Sequence, residues 1–371
     1  VSGIDPAKAK EAAKPATTLN ELIDRYLEAA DAGILVGRAG TPKKASTIET
    51  DKYRVNALVR PALGKLALAD IDRKVIEKFM NDVALGKIKS IGAKTAKNRG
   101  RTNTRGGRGA ATRTIGLLGG ILAFGVKEGE IPSNPVIGIK RFKDTKNERF
   151  LSGEELAKLG DVLRQAEANF RAWEVARKAW EGDGRQGKAP VRPSNAEAPA
   201  AIGVIRLLAL TGMRRGEALA LDWGEVDFEY GLLQLADSKT GRKSVPLGAA
   251  ARQLLAAIPK PEGGGLVFRG PSGGPVGGLP HIWERIRKRA GLDGVRLHDL
   301  RHSYAAVGAS GGQSLPILGA ILGHSDTATT QRYAHLTASP VQAAADLISK
   351  NIAAALDGRP AAKPKRLRVV T

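Results

Sequence analysis

Apolar residues recur at helical spacing through most of this chain. Thr18-Leu19-Asn20-Glu21 has the form of a capping box, in which a hydroxyl and a carboxylate satisfy the free donors of a first turn. Leu19, Leu22, Ile23, Tyr26 and Leu27 then line one face, so a helix begins at Leu19. Ser46 with Glu49 repeats the device and predicts a helix carrying Ile48, Val55, Leu58 and Val59 that stops before Pro61. Asp72 opens a third, with Val75, Ile76, Phe79, Met80 and Val83 on one side, and Thr112 to Val126 form a fourth, glycine-rich one. The sum is a small all-helical domain over residues 17–135.

Residues 136–149 follow two prolines, are highly charged and show no apolar face, which marks a link between domains. Ser152 with Glu155 then opens a second domain, residues 150–357, through Leu151, Leu156, Leu159 and Leu163. Residues 167–198 read as an insertion, part helix and part loop, with Trp173 and Trp180 as packing anchors. Ala200 to Leu210 are apolar enough for a buried helix, and short strands are predicted at 226–228, 232–235 and 243–245, with Lys239 in the second turn of that small antiparallel sheet. Ala249 to Ile258 form a helix ended by Pro259, and a glycine- and proline-rich connection leads to a basic helix from His281. The fold class is therefore mainly α, with a small sheet in the second domain. Val1 to Ala16 read as a linker remnant, and 358–371 as a basic tail.

Charge narrows the partner. Lys and Arg number 59 against 37 acidic residues, a net charge of +22, and such a field attracts polyanions. Lys87 to Arg113 contain no acidic residue and are suited to neutralising phosphates without reading sequence. Cysteine is absent, which removes disulfides and thiolate metal sites. There is neither a signal peptide nor an uninterrupted apolar run of roughly 18 residues, so the expectation is a cytoplasmic protein acting on nucleic acid rather than on a membrane.

The candidate chemistry lies between Thr211 and His335. His298 and Arg301 are three apart and share a helix face; Arg301 offers a planar fork of donors matched to phosphate oxygens, and His298 can exchange a proton near neutral pH. Gly323-His324-Ser325-Asp326 read as a break before a helix, capped by Ser325 or Asp326, that carries Tyr333 about two turns on, from where its oxygen could attack the held phosphate. Upstream, Arg214 follows a Thr-Gly pair at the start of a helix on which Glu217 can brace it, and Lys239 sits at a hairpin tip. His298 and His302 are four apart, but no third metal ligand accompanies them.

The ordered set Arg214, Lys239, His298-x-x-Arg301, His324, Tyr333 resembles the tyrosine recombinases, or phage integrase family, and most of all the integrases of prophages and genomic islands. TGMRRGE is similar to that family's first-arginine box, LHDLRH to its His-x-x-Arg box, and LGHSDTATTQRYAH to its closing box. The resemblance implies a two-domain DNA clamp, with the helical domain on the opposite side of the duplex from the catalytic one. It also implies that an N-terminal arm-binding domain preceded Val1. Tyr333 would be the nucleophile, forming a 3′-phosphotyrosyl link without metal, ATP or other cofactor. Arg214 and Arg301 would hold the non-bridging oxygens, Lys239 would protonate the leaving 5′-oxygen, His298 would accept the tyrosine proton or orient the phosphate, and His324 would donate to a non-bridging oxygen. The partners implied are double-stranded attachment-site DNA, a homo-tetramer on that DNA, a host DNA-bending protein and an excision factor. A type IB topoisomerase uses a similar residue set, and a catalytically silent DNA-binding relic is the third reading.

Overall fold

A computed structural model describes residues 17–37, 40–88, 90–94, 101–143, 149–238, 241–324 and 328–334. The chain divides into two compact units, Val1–Lys146 and Asn147–Thr371.

The first unit is helical. α1 (Leu19–Asp31) starts at the Thr18 capping box, with Leu19, Leu22, Ile23 and Tyr26 buried. α2 (Ala45–Arg54) starts one residue before Ser46, with Lys44 at the N-cap position, so Ser46 lies inside the first turn and is not the cap. Nor does the helical path end before Pro61. It widens into a π-turn over Val55–Val59 and runs on through Arg60–Leu63, where Pro61 occupies the first turn, a position whose N–H has no partner to lose. α3 (Arg73–Ala84) is capped by the Asp72 side chain, which accepts from Val75 N at 2.8 Å. The basic stretch from Lys87 to Arg113 contains an antiparallel pair, β1 (Ser90–Lys94) and β2 (Arg101–Thr104).

α4 (Arg108–Lys127) packs on α3 and α1 and is the central core helix. By length and composition alone it could cross a membrane, but Ile115, Leu118, Ile121 and Leu122 are fully buried in this unit's core. Its glycines are where neighbours come closest: a Cβ at Gly125 would lie 2.9 Å from Leu22 and one at Gly119 3.1 Å from Val136. Val136 and Ile139, in the segment read as a linker, are buried in the same core.

The second unit is built around α6 (Pro199–Thr211), whose Ile202, Val204, Ile205 and Leu207 are fully buried. Before it, α5 (Gly153–Gly182) runs for 30 residues from the Ser152–Glu155 capping box. The segment after α5 folds back along it: Trp173 Nε1 donates to Pro190 O at 3.1 Å, and Arg192 lies over the Phe170 ring at 4.9 Å. Both tryptophans donate to backbone carbonyls of that segment, which is a packing role. Buried Glu197 then ties the return to α9 (Leu279–Arg289) by a bidentate bond from Arg285, at 2.7 and 2.9 Å.

After α6 come α7 (Arg215–Ala220), the antiparallel strands β3 (Val226–Asp227), β4 (Leu232–Ser238) and β5 (Gly241–Pro246) in that order, and α8 (Ala249–Ala256). α10 (Leu297–Ser310) packs across α6, and α11 (Leu315–Leu322) and the short α12 (Ala328–Gln331) close the described chain. Trp283 of α9 anchors the approach to α10 by donating its indole N–H to Val295 O at 2.9 Å.

Candidate active site

Two glycines set the geometry. Gly212 ends α6 and Gly323 ends α11, both in the left-handed region at φ 63° and 65°. Such caps turn the chain sharply and leave the last carbonyls of each helix, its negative end, open to a cation. Here the cations are guanidinium groups. Arg301 donates Nη1 to Gly212 O at 2.8 Å and Nη2 to Leu322 O at 2.9 Å, so one buried arginine bridges both helix ends. Arg214 donates a long 3.4 Å bond to Gly323 O. Burial and the neighbouring Arg214 charge pull the Arg301 pKa down to about 10, which leaves it charged at neutrality. Neither glycine admits a side chain: a Cβ at Gly212 would lie 2.7 Å from the Tyr304 ring, and one at Gly323 2.6 Å from Lys243 Cε.

Arg214 is the N-cap of α7, and Glu217 on the first turn accepts from both its backbone N–H and its Nη1 at 2.9 Å. The same carboxylate accepts from Lys243 Nζ at 3.1 Å, and Glu217 and Lys243 are both 6 % exposed. Burial alone would raise the Glu217 pKa, but the bonds from Arg214 and Lys243 overcome it and hold it low. Burial lowers the pKa of Lys243, with Arg301 and Arg214 adding to the effect against the pull of Glu217.

Sequence reasoning missed Lys243, although a signal was there. On β5 it lies two residues from buried Val245, which puts a lysine on the strand's inward face, and such a lysine needs a buried anion. Lys239, the lysine singled out from sequence, lies outside the described residues, as do Ser325 and Asp326.

His298 is on the first turn of α10, exposed, and lines with Arg301, Met213, Arg215 and Gly216 a cleft of about 330 Å³. Partial desolvation of its ring and the adjacent Arg301 lower its pKa. Arg215, the neighbour of Arg214, is exposed on α7. Asp299 is fully buried and accepts from Arg296 N at 2.7 Å, capping α10 rather than orienting a group in the cleft. Half-buried His324 shares a 2.8 Å hydrogen bond between Nδ1 and Thr330 Oγ1. With the hydroxyl donating, the ring proton sits on Nε2, where it can be offered to an anion. Burial, then Arg301 and Arg214, lower the His324 pKa to about 4.

Tyr333 follows the single turn of α12 rather than riding two turns along a helix, and its N–H bonds to Thr330 O at 3.0 Å. It is 1 % exposed, packed with Phe150, Ala305, Leu318 and Leu322. Its hydroxyl lies 2.7 Å from His302 Nδ1, a partner that sequence reasoning considered only as a metal ligand. Tyr304, the other tyrosine near the cleft, is a packing residue whose pKa burial raises. The described residues thus bring Arg214, Glu217, His298, Arg301, His324 and Tyr333 into one neighbourhood and add Lys243 and His302. Two guanidiniums anchored at helix C-termini, three imidazoles and a phenol suit an anionic ester that is attacked by the phenol oxygen.

Comparison with known proteins bears on the same stretch. Residues 192–339 match the phage integrase family. The tyrosine recombinase XerC of Xylella fastidiosa is 34 % identical over 140 residues, which cover 36 % of this chain and 47 % of that protein. The chain spans about half the length of the first such curated relatives, 47 % and 51 %. Among solved structures, a lambda integrase dimer bound to a COC′ core site is similar with a TM-score of 0.61 and 20 % identity, covering 89 % of this chain and 81 % of that one. The Tn1549 transposon integrase in complex with transposon right end DNA gives a TM-score of 0.60 at 15 % identity, covering 90 % and 100 %. At those identities the likeness is one of fold: two-domain integrases, mostly helical with a small antiparallel sheet. The family match over 192–339 contains Arg214, His298, Arg301, His324 and Tyr333, so this stretch is a tyrosine recombinase, or phage integrase, domain.

Proposed function

We propose that this chain is a site-specific DNA recombinase, an integrase that cleaves and rejoins DNA strands through a 3′-phosphotyrosyl intermediate to integrate and excise a mobile element. The observation that carries the reading is the pair of guanidiniums, Arg214 and Arg301, anchored on the carbonyl ends of two helices beside the phenol of Tyr333. Charge develops on the non-bridging oxygens of a phosphodiester under attack, and preorganised donors aimed at it need no reorganisation during the reaction. His324 Nε2–H adds a third donor. Tyr333 attacks, the phosphodiester energy is retained in the covalent link, and the freed 5′-hydroxyl later reverses the step. Lys239 is assigned the proton for that 5′-oxygen, Glu217 holds Arg214, and His298 orients the phosphate from the cleft. The first unit and the net charge of +22 supply further phosphate contacts. Strand exchange involves two duplexes and four cleavages, so the working assembly is a homo-tetramer on double-stranded attachment-site DNA in the bacterial cytoplasm, with a host bending protein and an excision factor as accessory partners.

The test is a nicked suicide duplex taken from the flanks of the element's gene, incubated with the protein in EDTA and run on a denaturing gel. A covalent protein–DNA band that disappears in Tyr333→Phe is the expected result. DNA binding without a band would sink the recombinase reading in favour of a silent DNA-binding relic. Relaxation of supercoiled circles by a monomer, without exchange between duplexes, would point to topoisomerase action. Replacing Lys239 by Ala should slow a normal substrate and spare one with a 5′-thio leaving group. Equal slowing of both would remove it as the acid.

A further inference from the structure

We infer that His302 is a catalytic residue, the acceptor of the Tyr333 proton when the phenol oxygen attacks. This rests on the recombinase reading above. The two side chains come from α10 and from the turn after α12, 31 positions apart, and meet at 2.7 Å between Nδ1 and Oη in a buried setting. A phenol O–H is the stronger donor of the two and an imidazole nitrogen the stronger acceptor, so Tyr333 donates and His302 carries its own proton on Nε2. His298, the sequence-based choice for this duty, presents its ring to the cleft, where it meets the phosphate rather than the phenol.

The surroundings keep this base neutral until substrate arrives. His302 is faced on α10 by His298, whose ring stands edge-on at 4.8 Å, by Asp299 and by Arg296, and from the tyrosine's own segment by Arg332. Burial, then His298 and Arg332, lower its pKa to about 4, so it is an open acceptor at neutral pH. A phosphodiester bound at Arg301 and His298 brings a negative charge into the same cluster, which offsets those cations and strengthens the base only when there is something to attack. In the step, the Oη–H bond breaks and an Nδ1–H bond forms. Oη bonds to phosphorus, the P–O5′ bond breaks, and the 5′-oxygen takes a proton from a lysine. On resealing, the His302 imidazolium returns its proton to the departing Tyr333 oxygen.

His302→Asn separates base from scaffold, because its amide oxygen can still accept the phenol's hydrogen bond near the Nδ1 position but cannot take up a proton. Covalent complex formation on the nicked duplex should fall by roughly 10²–10⁴-fold, the usual contribution of a general base, with DNA affinity held within about twofold. Installing 3-fluorotyrosine at position 333, a more acidic phenol, should restore part of the loss in the Asn variant and change the wild type little. An Asn variant that cleaves as fast as wild type, or faster, would overturn the inference, as would an equal fluorotyrosine effect in both backgrounds. If the Asn variant unfolds, the pH profile of wild-type cleavage decides. An acidic limb that stays in place when Tyr333 is fluorinated belongs to the histidine, and one that moves with the phenol belongs to Tyr333 and refutes the assignment. A wild-type chain that forms no covalent complex fails the recombinase reading itself, which is a different outcome from an active wild type with an equally active Asn variant.

Discussion

Among the described residues Glu217 is the anion that Arg214 and Lys243 share, with Arg301 nearby, and its removal is the sharpest test of the site's electrostatics. Its carboxylate accepts from Arg214 N and Nη1, both at 2.9 Å, and from Lys243 Nζ at 3.1 Å, with Arg301 close behind. Glu217→Ala leaves Lys243, only 6 % exposed, with cations for neighbours and no counter-charge. Breaking a buried pair in this way costs about 3–5 kcal/mol. For a unit of this size each kcal/mol is worth about 2–4 °C, so even the lower figure lowers the melting temperature by roughly 6–12 °C. Thermal melts followed by circular dichroism in chloride at pH 7 measure it. Sulfate should recover more of the loss in the variant than it adds to wild type, because an external anion then fills the gap. The sign with pH is also set: the folded-state pKa is held below the ordinary value, so the stabilisation is present above about pH 4.3 and is lost as pH falls through the lowered value. A shift smaller than about 2 °C, against the 6–12 °C expected from a buried pair, or an equal sulfate effect in both proteins, would refute the reasoning.

Arg301→Lys keeps the charge but cannot bridge Gly212 O and Leu322 O with one planar group, so cleavage should drop by roughly 10²–10³-fold in a suicide-substrate assay. DNA affinity in a gel shift should change far less, and a parallel loss of both would make Arg301 a simple binder. Gly212→Ala forces an L-residue to φ 63° and a Cβ to 2.7 Å from Tyr304, together about 2–4 kcal/mol, readable as a lower urea midpoint. His298, His302 and His324 all have lowered folded-state pKa values, the last two to about 4, so the stability they confer by staying neutral is complete above about pH 6.5 and is lost as pH falls toward 4. Urea midpoints that stay flat between pH 6.5 and 4.5 would contradict that burial.

Much of the fold was legible because it is written in short-range patterns. The Thr18 and Ser152 capping boxes, the apolar face of Asp72 to Val83 and the largely apolar run before Thr211 each follow from side chains close together on one helix. Where local reasoning failed, a non-local partner had decided the matter. The glycines of α4 looked like weak helix formers, yet Leu22 and Val136 pack against the places they leave open.

By itself the sequence determined the order Arg214, His298, Arg301, His324, Tyr333, the helix break that begins at Gly323, and the basic character that points to a polyanion. Only the tertiary structure decided what each of these groups touches. Arg301 takes its carbonyls from positions 89 and 21 residues away, Lys243 meets Glu217 across 26 residues, and Tyr333 finds His302 across 31. Helical and strand periodicities record which face of one element is buried, and that is a local property. Which charges share a buried volume depends on how α6, α7, β5, α10 and α11 pack around it, and there a low dielectric makes each unpaired ion costly enough to select its partner.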